Sequence, residues 1–140
     1  MSLSQWALVG FALWTLSVVL FTVGFPRISA ILRGEAKPSS FDASVPHGSE
    51  RYRRSMRAHA NCVENLPIFA SLVLLGSLLG MSGELFQITA FAVLPARILQ
   101  SVAHIASGRS RAVLVRFVFF SVQLVAFALM GGLLVARGLR

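Results

Sequence analysis

The segment RAHANCVENLP, residues 57–67, sets an arginine, a histidine, two asparagines and a glutamate at the mouth of an apolar run, IFASLVLLGSLLG. Arg57, Asn61 and Glu64 stand at i, i+4 and i+7. A helix carries such positions on one face, as a stripe about 10 Å long at 1.5 Å per residue. Arg97, Gln100 and His104 repeat the idea at i, i+3 and i+7, and Arg116, Phe120 and Gln123 at i, i+4 and i+7. The three stripes hold three arginines against one acid, Glu64. A guanidinium fork suits carboxylates and phosphates, binding them with two parallel hydrogen bonds. The surplus positive charge therefore implies an acidic ligand from outside the chain. The alternatives are internal: Arg57 snorkelling to lipid phosphates, or an Arg97–Glu64 contact. Arg97 stands well inside an apolar run, where a charge costs about 2.5–3.5 kcal/mol on insertion scales, so it should face neighbouring helices and a partner.

The elements that must position these stripes are membrane spans. The chain is 56% hydrophobic with mean hydropathy +0.75. Trp6–Phe25 and Phe117–Ala136 are each 20 residues without a charge, Leu66–Gly83 is a charge-free 18, and Leu85–Ala106 is 22 residues broken only by Arg97. About 20 apolar residues cross the hydrocarbon as a helix, and continuous rather than alternating hydrophobicity selects helices over barrel strands. The expected fold is an all-α integral membrane protein. It is an up-down four-helix bundle in one domain, residues 1–140, with helices at about 5–33, 51–80, 84–107 and 112–137. Proline disfavours helical geometry in the residue before it, so the proline signal ends the first helix near Phe25-Pro26, short of the outer bound at about 33, and Pro67 and Pro95 should kink the second and third helices. The first run does not read as a cleaved signal peptide, because its apolar core is long and Arg27 and Arg33 follow it.

A net charge of +8 raises the question of nucleic acid, and its distribution answers it. Ten arginines and lysines lie in or beside the two connections between the first and second and the third and fourth helices, against two at the C-terminus. By the positive-inside rule the basic loops are cytoplasmic and both termini outside, which makes the charge a topology signal and not a nucleic-acid surface. The lone cysteine, Cys62, excludes a disulfide within the chain and reads as a small apolar filler. No cluster suggests a metal site.

RAHANCVENLPIF resembles the signature of the MAPEG family, the membrane-associated proteins of eicosanoid and glutathione metabolism. The pattern Arg-Ala-x-x-Asn-x-x-Glu-x-x-Pro is met by Arg57, Ala58, Asn61, Glu64 and Pro67. PARILQSVAHIASG, residues 95–108, is similar to the family's helix-3 segment, and VRFVFFSVQ, residues 115–123, to the start of its helix 4. The resemblance implies a homotrimer binding glutathione between subunits near the cytoplasmic side. Arg57, His59, Asn61, Glu64, Arg97 and His104 would hold the tripeptide, with Arg33 or Arg27 added from the end of helix 1. The thiolate-stabilising arginine at the start of helix 4 is matched by Arg116, with Arg111 a rival by counting. Two positions depart from the pattern: His104 replaces a tyrosine, and Phe120 lacks a hydroxyl.

The implied function is that of a bacterial-type membrane glutathione transferase or peroxidase-like enzyme. Glutathione would be its co-substrate, lipophilic electrophiles or hydroperoxides its substrates, and lipids and copies of itself its partners. A bacterial inner membrane is the expected location. The departures speak against a specialised leukotriene or prostaglandin synthase. A non-catalytic helper of the same fold is the alternative. A small four-helix multidrug transporter is the other alternative, but such a pump needs a membrane-embedded acid that the first helix lacks.

Overall fold

The computed structural model describes residues 1–42 and 47–139. Four helices run through them: α1 (Leu3–Leu32), α2 (Glu50–Leu78), α3 (Glu84–Ala106) and α4 (Ser110–Gly138), each long and apolar enough to cross a membrane. No strand occurs among the described residues. The connections after α2 and α3 are short, so consecutive helices run antiparallel, as the bundle expectation requires.

Local sequence sets the helix ends. Ser2 and Gln5 form a reciprocal capping box at the start of α1, and the Ser49 hydroxyl accepts from the Tyr52 amide at the start of α2. Both α1 and α2 close on a glycine with positive φ: Gly34 at 71° and Gly80 at 64°. The following amides, Glu35 N–H and Met81 N–H, reach back to Ala30 and Gly76 carbonyls at 2.9 and 2.8 Å. Only glycine adopts this left-handed conformation at no steric cost, and it turns the chain sharply enough to satisfy the last carbonyls. α4 begins at Ser110, two residues before Ala112, with Arg109 as its cap residue.

Helix 1 does not stop at Pro26. It widens into a π-turn over Val19–Gly24, where the Phe25 amide donates to Leu20, and then continues as α-helix to Leu32. Pro26 lacks an N–H, and its ring crowds the carbonyl four residues back, so the widened turn takes up that misfit within the helix. α2 and α3 likewise remain helical across Pro67 and Pro95.

α3 packs most extensively on α4 and also against α1 and α2, and it is the most enclosed helix. The core is aromatic: Phe69 lies 5.5 Å from Phe11 and 6.0 Å from Phe127, ring centre to ring centre. Phe86 of α3 fills the space over Gly76 of α2, where an added Cβ would lie 2.4 Å from the ring. Leu13, Leu16, Phe21, Leu78 and Val125 point outward and are exposed. Outward leucines and phenylalanines are costly in water and natural against acyl chains.

Candidate functional site

The three polar stripes converge at the basic end of the bundle. Asn61 from α2, Gln100 and His104 from α3, and Arg116 and Phe120 from α4 line one cleft of about 240 Å³, with Val113 and Phe117 as its apolar wall. Helical spacing produces this. Gln100 and His104 are one turn apart on α3, as Arg116 and Phe120 are on α4, and the extensive α3–α4 contact sets the two pairs side by side. Asn61 Nδ2 donates to the Arg57 carbonyl at 2.9 Å, which fixes the amide one turn from its own helix partner. Arg54, Arg57 and Arg116 all act electrostatically on His104, so the cleft lies in a positive field. No acid is among its lining residues.

Beneath the cleft, polar side chains continue into the bundle. Gln123 Nε2 donates to Gln100 Oε1 at 2.9 Å and to the Phe119 carbonyl at 2.8 Å, while Gln123 Oε1 is buried without a partner. The Ser101 hydroxyl bonds the Arg97 carbonyl at 2.8 Å and lies 3.5 Å from Cys62 Sγ. Cys62 thus takes part in a polar contact as well as filling space.

Arg97 is completely buried. Its guanidinium sits 5.3 Å from the centre of the Phe11 ring, and Nε and Nη2 have no hydrogen-bond partner. The Cys62 thiol of α2 lies beside it. The expectation that Arg97 turns into the bundle describes its position. Its neighbours are an aromatic face and a thiol, and it forms no ion pair among the described residues. A desolvated guanidinium with two idle donor nitrogens costs several kcal/mol unless an acceptor reaches it.

The remaining candidates fall into separate groups. Arg57 and Glu64 are exposed on α2, in line with Asn61 but outside the cleft lining. His59 is half-buried, with Nδ1 shielded and unpartnered. Arg33 forms an exposed ion pair with Glu35 at 2.9 Å. Arg27 instead donates to the Tyr52 hydroxyl and lies over the Phe41 and Tyr52 rings at 5.2 and 5.7 Å, clasping the connection after α1. Neither Arg27 nor Arg33 lines the cleft, and of Arg111 and Arg116 only Arg116 does. Three contributors escaped the sequence reading. Val113 and Phe117 were legible as apolar residues at i and i+4 of a face that has Phe120 at i+7. Arg54, which donates to the Ile105 carbonyl at 3.2 Å and ties α2 to the last turn of α3, gave no sequence signal beyond its charge.

No curated protein and no solved structure matches the chain. The MAPEG family does, over residues 7–136, which takes in all three polar stripes and nearly all of the four spans that carry them. With its four membrane-length helices and its cationic cleft, this integral membrane protein belongs to the MAPEG family.

Proposed function

We propose that the protein is a membrane-bound glutathione transferase with peroxidase-like capacity, which activates glutathione as its thiolate for attack on lipophilic electrophiles. The observation that carries this reading is the single cleft joining Asn61, Gln100, His104 and Arg116 in a field of arginines with no acid in its lining. Family membership supplies the glutathione-related context. Glutathione bears two carboxylates, one ammonium and a thiol. Arg57 and Asn61 suit a carboxylate, and Glu64, which makes no ion pair among the described residues, suits the ammonium. His59, Arg97 and His104 supply further donors around the tripeptide, and Arg33 or Arg27 extends the cationic surface from α1.

The cleft of about 240 Å³ is smaller than the roughly 300 Å³ at which pockets for drug-sized ligands begin. In this reading a neighbouring copy completes it, and the functional unit is a homotrimer whose outward apolar faces meet one another and lipid. In the same reading the basic connections lie on the cytoplasmic side of a bacterial inner membrane, where glutathione is available.

Catalysis rests on two effects. The Arg116 guanidinium stabilises the sulfur as thiolate, releasing its proton to solvent, and the cleft holds that sulfur against an electrophile arriving from the bilayer. With an aryl halide the sulfur–carbon bond forms, the carbon–halogen bond breaks, and halide departs. The test is a calorimetric titration of the purified protein with glutathione, together with conjugation of an aryl halide. Saturable binding with turnover is expected. Binding without turnover would leave the helper reading standing, and no binding would remove the site.

A further inference from the structure

A second groove runs along α1, between it, the start of α2 and the end of α3. Its lower part, about 350 Å³, lies between α1 and the end of α3 and is walled by Trp14, Val18, Val102 and Ile105. The hydroxyls that line it are satisfied within their own helix: Ser17 donates to the Leu13 carbonyl at 2.8 Å and Thr22 to the Val18 carbonyl at 2.6 Å. Its upper part, about 280 Å³, is walled by Ser49, Tyr52 and Ser55 at the start of α2. Phe21, Thr22 and Arg51 line both parts, so the two are one groove with Arg51 at the joint. Phe21 and Thr22 belong to the π-turn, a departure from helical geometry that recurs at functional sites.

The groove is therefore amphipathic along its length, apolar toward the bilayer and polar toward the basic end. Between Trp14 and Phe21 it follows roughly 10 Å of helix, at 1.5 Å per residue. Arg51 is exposed and makes no ion pair among the described residues, whereas its neighbour Glu50 is taken by Arg54 at 3.5 Å. A cation at the membrane-interface end of an apolar channel complements one common ligand: an acyl chain bearing a negative headgroup.

We propose that this groove is a binding site for an anionic phospholipid, with the phosphate at Arg51, the headgroup beside Ser49 and Tyr52, and one acyl chain along Trp14, Val18 and Val102. The site is separate from the Asn61–Arg116 cleft and does not depend on the glutathione reading. The charge of Arg51 selects the headgroup, and the apolar wall retains the chain.

The test is native mass spectrometry of the full-length protein released from micelles holding equal phosphatidylglycerol and phosphatidylcholine. The wild type should retain phosphatidylglycerol preferentially, at one per chain. Arg51→Gln should weaken that preference at least about fivefold, the equivalent of one interfacial arginine. Val102→Trp, which fills the apolar part without touching charge, should displace the lipid as well. Arg53→Gln, outside the groove, should leave retention unchanged, and inorganic phosphate should not compete. Equal retention of the two lipids, an Arg53→Gln loss as large as that of Arg51→Gln, or displacement by phosphate alone would each overturn the assignment. The first outcome would mean no headgroup selection, the second general surface charge, and the third a free-anion site.

Discussion

Replacing Arg116 by glutamine tests the chemistry where the magnitude can be worked out. Arg116 is half-buried in the cleft wall, between bulk water and a dry interior. A guanidinium about 4 Å from a thiolate contributes about 4 kcal/mol at an effective dielectric of 20 and about 1 kcal/mol in water. For a half-exposed site we take about 2 kcal/mol, which lowers the thiol pKa by about 1.5 units, from about 8.5 to about 7. The sign follows directly: the cation favours the charged form, so removing it raises the pKa and moves activity to higher pH. At pH 7 the thiolate fraction should fall from about one half to about 3%, a loss in turnover of about fifteenfold that is recovered near pH 9. The assay is a pH titration of the ultraviolet thiolate band of bound glutathione, run beside the pH–rate profile of aryl halide conjugation. The glutamine variant should shift both midpoints together. Unchanged midpoints in Arg116→Gln, or the same shift in Arg111→Gln, would refute the reasoning.

Asn61→Ala removes an amide from the cleft and should weaken glutathione binding by about fivefold to tenfold without moving the thiolate midpoint, as calorimetry would show. Arg97→Met trades an unsatisfied buried guanidinium for an apolar chain of similar length. It should leave the unliganded protein at least as stable in detergent, while shrinking the gain in thermal midpoint that glutathione brings. A marked loss of stability without ligand would mean that Arg97 serves the fold. Gly76→Ala would push a Cβ to within 2.4 Å of the Phe86 ring and should cost about 1–3 kcal/mol, far from the cleft. Adding Phe86→Leu should restore much of that loss in thermal unfolding, and failure to do so would show that Gly76 matters for another reason.

Much of the fold was legible because the bilayer demands little ambiguity: long charge-free runs can be satisfied only as spanning helices. The cleft was partly legible for a related reason. Residues at i, i+3, i+4 and i+7 must share a face, and antiparallel helices bring their basic ends to one level, so Asn61, His104 and Arg116 meet as their spacing suggested. The assignment of a thiolate-stabilising role to Arg116 came from the family resemblance, and spacing alone left Arg111 open. What the sequence withheld depends on rotation and close packing. Whether Arg97 meets a carboxylate or the Phe11 ring turns on how α3 is rotated toward α1, which no single-helix pattern encodes. The π-turn before Pro26 arises because continuing the helix across proline is better served by a wider turn than by a break, a choice settled by packing on α2. The clasp of Arg27 on Tyr52 and Phe41 joins residues far apart in sequence, and no local pattern announces it.

The most direct test of the central claim is an electron cryomicroscopy map of the protein in lipid nanodiscs at saturating glutathione. Density for the tripeptide should fill the cleft between Asn61, Gln100 and His104, with its sulfur in hydrogen-bond reach of the Arg116 guanidinium. Tripeptide density at another place on the protein, or an empty cleft under saturation, would contradict the account.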